Sequence, residues 1–293
     1  MKLLIFGHKG QLGTDLMRCA DQEGIDVVGV DLPECDITTM QSVNRAFSAA
    51  GPITLVLNAA AYTNVDQAES HCEAAFAVNR DGAANIAQAC RQRQIPLIHI
   101  STDYVFSGRK TEPYKPDDAI NPRGVYAQSK AAGEEAVRNR LAQHLIIRIS
   151  WLVGRYGDNF VKTMLRLGRT QKEIRVVDDQ VGSPTFAQDL AKALLLVAGK
   201  INRDFSDWGT YHYCNEGALT WYAFARKIFS LARHYEKLAV KDVISILTEN
   251  YPTPAPRPQY SVLDCSTLIE TFGIVRRPWD VALKEMLSDL YSK

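Results

Sequence analysis

An α/β protein is predicted, with a doubly wound parallel sheet followed by a smaller α/β lobe. Three observations predict it. Short apolar runs at Leu3–Phe6, Val27–Val30, Thr54–Leu57, Leu97–Ile100 and Leu145–Ile149 alternate with helical patterns, the signature of a parallel sheet covered on both faces. The residue after each run, Gly7, Asp31, Asn58, Ser101 or Ser150, is small or polar, as suits the carboxyl edge where such sheets bind ligands. Beyond Ser150 the alternation changes character, which divides the 293 residues into 1–150 and a mainly separate lobe, 151–293. Parts of 186–216 are expected to pack back on the first unit.

The composition is that of an ordinary globular protein, 46% hydrophobic and 23% charged. A net charge of +1 leaves no broad electrostatic footprint for nucleic acid. The first apolar run is too short for a signal peptide, and no later run approaches the roughly 18 apolar residues of a membrane span, so a cytoplasmic protein is expected. The six cysteines lack any C-x-x-C pair, and neither a metal site nor a disulfide frame is expected from them.

The first strand, Lys2–Phe6, runs straight into Gly7-His-Lys-Gly10-Gln-Leu-Gly13 and the amphipathic segment Thr14–Asp21. Strand, glycine loop and helix in that order are what a dinucleotide-binding turn of the Rossmann type requires. One glycine makes the tight turn, the next lets backbone approach a pyrophosphate, and the third allows close helix packing. The helix amino terminus then offers free N–H groups to the phosphates. Asp31 closes the second strand where an acid meets the adenosine ribose, although a plain strand-end turn is the competing reading. Asp31 argues against a 2′-phosphate, Lys9 offsets it, and acceptance of both NADH and NADPH is expected.

A second chemical stretch follows the fourth strand. Ser101-Thr102-Asp103-Tyr104 leads, some twenty residues on, to Tyr126-Ala-Gln-Ser-Lys130. On a helix, residues four apart share a face, so phenol and ammonium lie side by side. A phenol of pKa near ~10 beside a cation is brought closer to the range where it exchanges a proton. Thr102 is placed to hydrogen-bond the same substrate oxygen. Taken alone, a Tyr–Lys pair is more often structural than catalytic.

Together, Gly7-x-x-Gly10-x-x-Gly13, Asn58-Ala-Ala-Ala61, Ser101–Phe106 and Tyr126-x-x-x-Lys130 resemble the extended short-chain dehydrogenases/reductases. With Gly10-Gln-Leu-Gly13, Asn58–Asp66, Ser150-Trp151, Asn159-Phe160, Gly182-Ser-Pro-Thr185 and Arg257-Pro258, the chain is most similar to the dTDP-4-dehydrorhamnose reductase branch. That resemblance implies catalysis by Thr102, Tyr126 and Lys130. It implies cofactor contacts from Gly7, Gly10, Gln11, Leu12, Gly13, Asp31, Asp36, Ile37, Asn58, Ala60, Ala61, Tyr62 and Thr63, besides Tyr126 and Lys130. Thr102, Asp103, Trp151 and Arg257 are implied at the substrate, and Asn79 near the nicotinamide. Residue by residue, Asp36 equally reads as a helix cap, Trp151 as core, and Arg257 as a solvated arginine in the four-proline segment Asn250–Pro258.

The expected activity is NAD(P)H-dependent reduction of the C4 keto group of a dTDP-6-deoxy-hexulose. The alternatives are a non-catalytic nucleotide-binding regulatory subunit, such as the methionine adenosyltransferase β-subunit, and a nucleotide-sugar epimerase or dehydratase. Some members of the branch join subunits through magnesium. Here Gln188 stands where those carry a glutamate, so a homodimer, if formed, is expected without a magnesium bridge.

Overall fold

The computed structural model of the chain describes residues 1–292. Five strands follow the sequence reading closely: β1 (Lys2–Phe6), β2 (Asp26–Val30), β3 (Leu55–Asn58), β4 (Leu97–Thr102) and β5 (His144–Ile149). With Gly209–Tyr213 they form one six-stranded sheet in the order Gly209–Tyr213, β5, β4, β3, β1, β2. Every neighbouring pair is parallel. The chain leaves β1 for β2 on one side and then crosses to β3 on the other. That reversal opens a crevice at the carboxyl ends of β1 and β3, the usual place for a ligand in an open α/β sheet.

The continuous apolar runs have a simple cause, since successive strand residues face opposite sides. Leu3 and Ile5 pack with Leu12, Leu16, Leu190 and Leu194 on one face. Leu4 and Phe6 pack with Val43, Phe47, Ile86 and Val137 on the other. The Ala187–Lys200 helix therefore covers the same face as the Gln11–Gln22 helix, although the two are far apart in sequence.

A separate apolar cluster gathers Val161, Met164, Leu165, Ile174, Phe224, Ile228, Phe229 and Leu283. It lies under a two-stranded parallel ladder of Glu173–Val177 and Asp242–Ile246. The second of these strands escapes the sequence reading because its burial is poor and charged residues flank it. Helical patterns over Val65–Arg93 resolve into Val65–Ala68, Cys72–Phe76, a π-helical turn Ala77–Gly82 and Ala83–Arg93. Among the described residues no helix is long and apolar enough to cross a membrane.

Candidate active site

The three glycines of the first loop have different neighbours. Gly7 has φ +82°, and a Cβ there would lie 2.6 Å from the Ala60 backbone nitrogen. A Cβ on Gly13 would lie 2.0 Å from the Gly7 carbonyl, so helix and loop touch directly. Gly10 is exposed, with nothing closer than the Gly7 carbonyl at 3.3 Å, and its free side faces solvent. The Gln11–Gln22 helix that follows has no side-chain cap and no acidic residue in its first turn. Its orphan N–H groups are thus left for an anion, and the cradle fits a dinucleotide pyrophosphate.

Other residues of the predicted cofactor set hold the cradle in shape. Asp31 accepts from the backbone of Lys9 (2.9 Å) and Leu32 (2.8 Å), which fixes the loop after β2 against the glycine loop. Lys9 is itself paired with Glu34 at 2.9 Å in the open. Asp36 receives both donors of Thr38, at 2.9 and 2.8 Å. The Ile37 side chain fills the space beside Gly82, where a Cβ would clash at 2.6 Å. Leu12 is a core residue, and Gln11 turns to the second half of the chain, meeting the Leu152 carbonyl and Asn159. Asn58 is held by His99 at 3.0 Å and accepts from the Ala60 amide. Ala61 and Tyr62 are half-buried and Thr63 is exposed.

At the end of β4 the second predicted group comes together. Thr102 donates to Asp103 at 2.9 Å and accepts from the Tyr104 amide at 3.2 Å. Tyr104 packs edge-on against the Tyr126 ring, centroids 5.5 Å apart. Lys130 is buried, and its ammonium donates to the Ile100 carbonyl at 2.7 Å. Burial pulls Lys130 down to about 8, with Glu134 opposing. Burial pushes the Tyr126 phenol above its ordinary range, with the Thr102 hydroxyl opposing. The sequence reading assigned the tuning of Tyr126 to Lys130; here Thr102 is the group that counters its burial. Burial also pushes Asp103 up to about 7, and one of its carboxyl oxygens has no partner.

The remaining predicted residues lie on other segments, and Trp151 packs with the apolar cluster of the second lobe. Arg257 reaches back from the proline segment to Asp66 at 2.7 Å, and its Nη1 is buried without a partner. Trp151 adopts a left-handed backbone, φ 46°, and stacks on Trp221 with centroids 3.4 Å apart. Across its other face lies Gly182, where a Cβ would fall 2.5–2.7 Å from the indole. Both faces of the ring are covered, which leaves its edge for a ligand.

Comparison with known proteins places the whole chain in one family. The model of the RmlD substrate binding domain family matches residues 1–292. The dTDP-4-dehydrorhamnose reductase of Aggregatibacter actinomycetemcomitans is 41% identical over 288 residues, covering 97% of this chain and 98% of that protein. The chain belongs to the dTDP-4-dehydrorhamnose reductase family. The spore coat polysaccharide biosynthesis protein SpsK of Bacillus subtilis is 40% identical, over 98% of this chain and 97% of that one. A solved dTDP-4-dehydrorhamnose reductase from Bacillus anthracis, in complex with NADP, matches with a TM-score of 0.90 and 37% identity, over 98% and 99% of the two chains.

Two charged residues on and beneath the Tyr126–Lys130 helix escaped the sequence reading. Glu134 is fully buried one turn beyond Lys130, and Arg148 on β5 grips it through two hydrogen bonds of 2.8 and 2.7 Å. An arginine inside the run Leu145–Ile149 was the available signal. Asn79, expected near the nicotinamide, bonds both backbone groups of Tyr62 and the Ser129 hydroxyl at 2.8–3.1 Å. It thus ties the loop after β3 to the helix carrying Tyr126. Gly133 lets that helix approach, since a Cβ there would meet the Asn79 carbonyl at 2.2 Å.

Proposed function

We propose that this protein reduces the C4 keto group of dTDP-4-dehydro-L-rhamnose to dTDP-L-rhamnose, with NADPH or NADH. The docking of the Tyr126–Lys130 helix against the end of β4 carries the reading: Lys130 donates to the Ile100 carbonyl at 2.7 Å, and Tyr104, two residues after Thr102, packs edge-on against the Tyr126 ring. The glycine loop with Asp31, Asn58 and Ala60 holds the cofactor, which supplies the hydride. Tyr126 gives its proton to the carbonyl oxygen, and Thr102 turns its one hydroxyl proton from Asp103 to that oxygen and orients it. Lys130 holds the nicotinamide ribose and adds positive charge below the site. Asp103 and the edge of Trp151 meet the sugar, and the unpartnered donor of Arg257 meets the diphosphate.

Residues 1–150 form the cofactor half and 151–293 the main substrate half of this reading, in a cytoplasmic enzyme. Any dimer forms without a magnesium bridge. Gln188 is a neutral amide, and the neighbouring Asp189 is already engaged by Arg277 and Asn215, each at 2.6 Å. Neither is a ready ligand for a hard cation that favours free carboxylate oxygens.

The test is direct. Purified protein is mixed with NADPH and dTDP-4-dehydro-L-rhamnose, and nicotinamide absorbance is followed, with a UDP-linked ketosugar as control. Stoichiometric oxidation of NADPH with the dTDP sugar is the expected result. Cofactor binding without oxidation would favour a regulatory protein, and product formation without net oxidation would favour an epimerase or dehydratase.

A further inference from the structure

The edge strand Gly209–Tyr213 runs into Cys214, and the proline segment that carries Arg257 runs on to Cys265 at the start of the Ser266–Phe272 helix. Their sulfurs are 3.6 Å apart, in a place that is 1% and 2% exposed. Both thiols are aimed at the Leu263 carbonyl, at 3.9 and 3.6 Å. Arg276 closes the cluster. Its Nη1 lies 3.7 Å from the Cys214 sulfur and 3.4 Å from the Cys214 carbonyl, while its Nε has no partner. None of these groups takes part in the reduction described above.

Two free thiols in contact and a guanidinium against one of them form an arrangement that simple core packing does not require. A cation beside a thiol favours the thiolate, which is the form that attacks a peroxide. A disulfide needs sulfurs about 2 Å apart, so side-chain rotation and a small backbone shift bring this pair together. The other cysteines offer no such partner: Cys19, Cys35 and Cys90 are buried and Cys72 is exposed.

We propose that Cys214 and Cys265 are a redox modification site, oxidised by a hydroperoxide to a disulfide that ties the edge of the sheet to the segment carrying Arg257. The Cys214 thiolate attacks the peroxide oxygen, the O–O bond breaks, and the alcohol (water, for hydrogen peroxide) leaves with the thiol proton. The resulting Cys214 sulfenic acid is attacked by the Cys265 sulfur, and water leaves with the Cys265 proton. Two thiols lose two electrons and two protons, and one hydroperoxide is reduced to alcohol and water. Cys214 is the attacking partner because its contact with Cys265 and the charge of Arg276, 3.7 Å from its sulfur, both lower it. Cys265 is raised in return.

The test uses the intact native protein. It is treated with a small excess of hydrogen peroxide and alkylated, and its peptides are mapped without reductant. The expected product is a linked Cys214–Cys265 peptide that dithiothreitol separates, forming at least about tenfold faster than oxidation at buried Cys19, Cys35 or Cys90. In Cys265→Ser, dimedone is expected to trap a sulfenic acid at Cys214. Recovery of both peptides as separate alkylated thiols, with oxidation confined to Cys72, would overturn the proposal. The wild-type mapping decides this whether or not the variant folds.

Discussion

Asp103 and Glu134 are both buried carboxylates near the Tyr126–Lys130 helix, and their surroundings are opposite. Glu134 is opposed by burial but held by two arginines: Arg148 binds both its oxygens, and Arg138 adds a third contact at 2.7 Å. These charges outweigh burial and bring Glu134 down to about 2. Asp103 has burial without an arginine, one hydroxyl donor and one orphan oxygen, and it is pushed up to about 7. The difference separates structure from chemistry. A carboxylate held by three arginine donors ties helix to sheet, whereas one with an unpartnered oxygen next to Thr102 holds its proton more tightly because it is buried.

The largest expected effect lies on the Asp103 side. Tyr126→Phe removes the proton donor and should cut turnover by about 10²–10⁴-fold while NADPH binding and the denaturation midpoint stay near wild type. Turnover like the wild type would remove Tyr126 from the mechanism. On the other side, Glu134→Gln leaves Arg148 buried without its counter-charge. It should cost about 3–5 kcal/mol in urea denaturation at neutral pH. Because Glu134 has a lowered folded pKa, its contribution is present above the ordinary 4.5 and is lost as pH falls towards 2. The variant should lack that acid-dependent loss, and a cost under about 1 kcal/mol would collapse the distinction between the two carboxylates.

Asp103→Asn is expected to show the opposite sign. The folded chain holds the Asp103 proton more tightly than the unfolded chain, so its contribution is complete below 3.8 and is lost as pH rises through about 7. Wild-type stability should therefore fall relative to Asp103→Asn over that window, by about 1–3 kcal/mol. Parallel pH curves for the two proteins would count against an uncompensated carboxylate. A smaller effect is expected at the cofactor. Lys9 and Glu34 form an exposed, solvent-screened pair, so Lys9 is readily released to a 2′-phosphate, and NADH and NADPH should differ by less than about a thousandfold. The smallest effect belongs to Asp189, a third buried carboxylate that is already paired. Turnover and sedimentation should be the same with magnesium and with excess EDTA, and a dimer that dissociates on chelation would contradict this.

The order of strand, glycine loop and helix was legible in the sequence because its causes are local. Apolar runs bury strands on both faces, and Gly7 and Gly13 answer to backbone contacts within a few residues of one turn or its neighbouring strand. The spacing of Tyr126 and Lys130 follows from helical periodicity in the same way. The partners of the charged and polar side chains were decided by tertiary structure. Arg148 finds Glu134 from another element, Asn79 finds Tyr62 and Ser129, Trp221 covers Trp151, and Cys214 meets Cys265 across 51 positions. A side chain's charge and size are written locally, but its burial and its nearest counter-charge depend on which distant segments the sheet and its covering helices bring together.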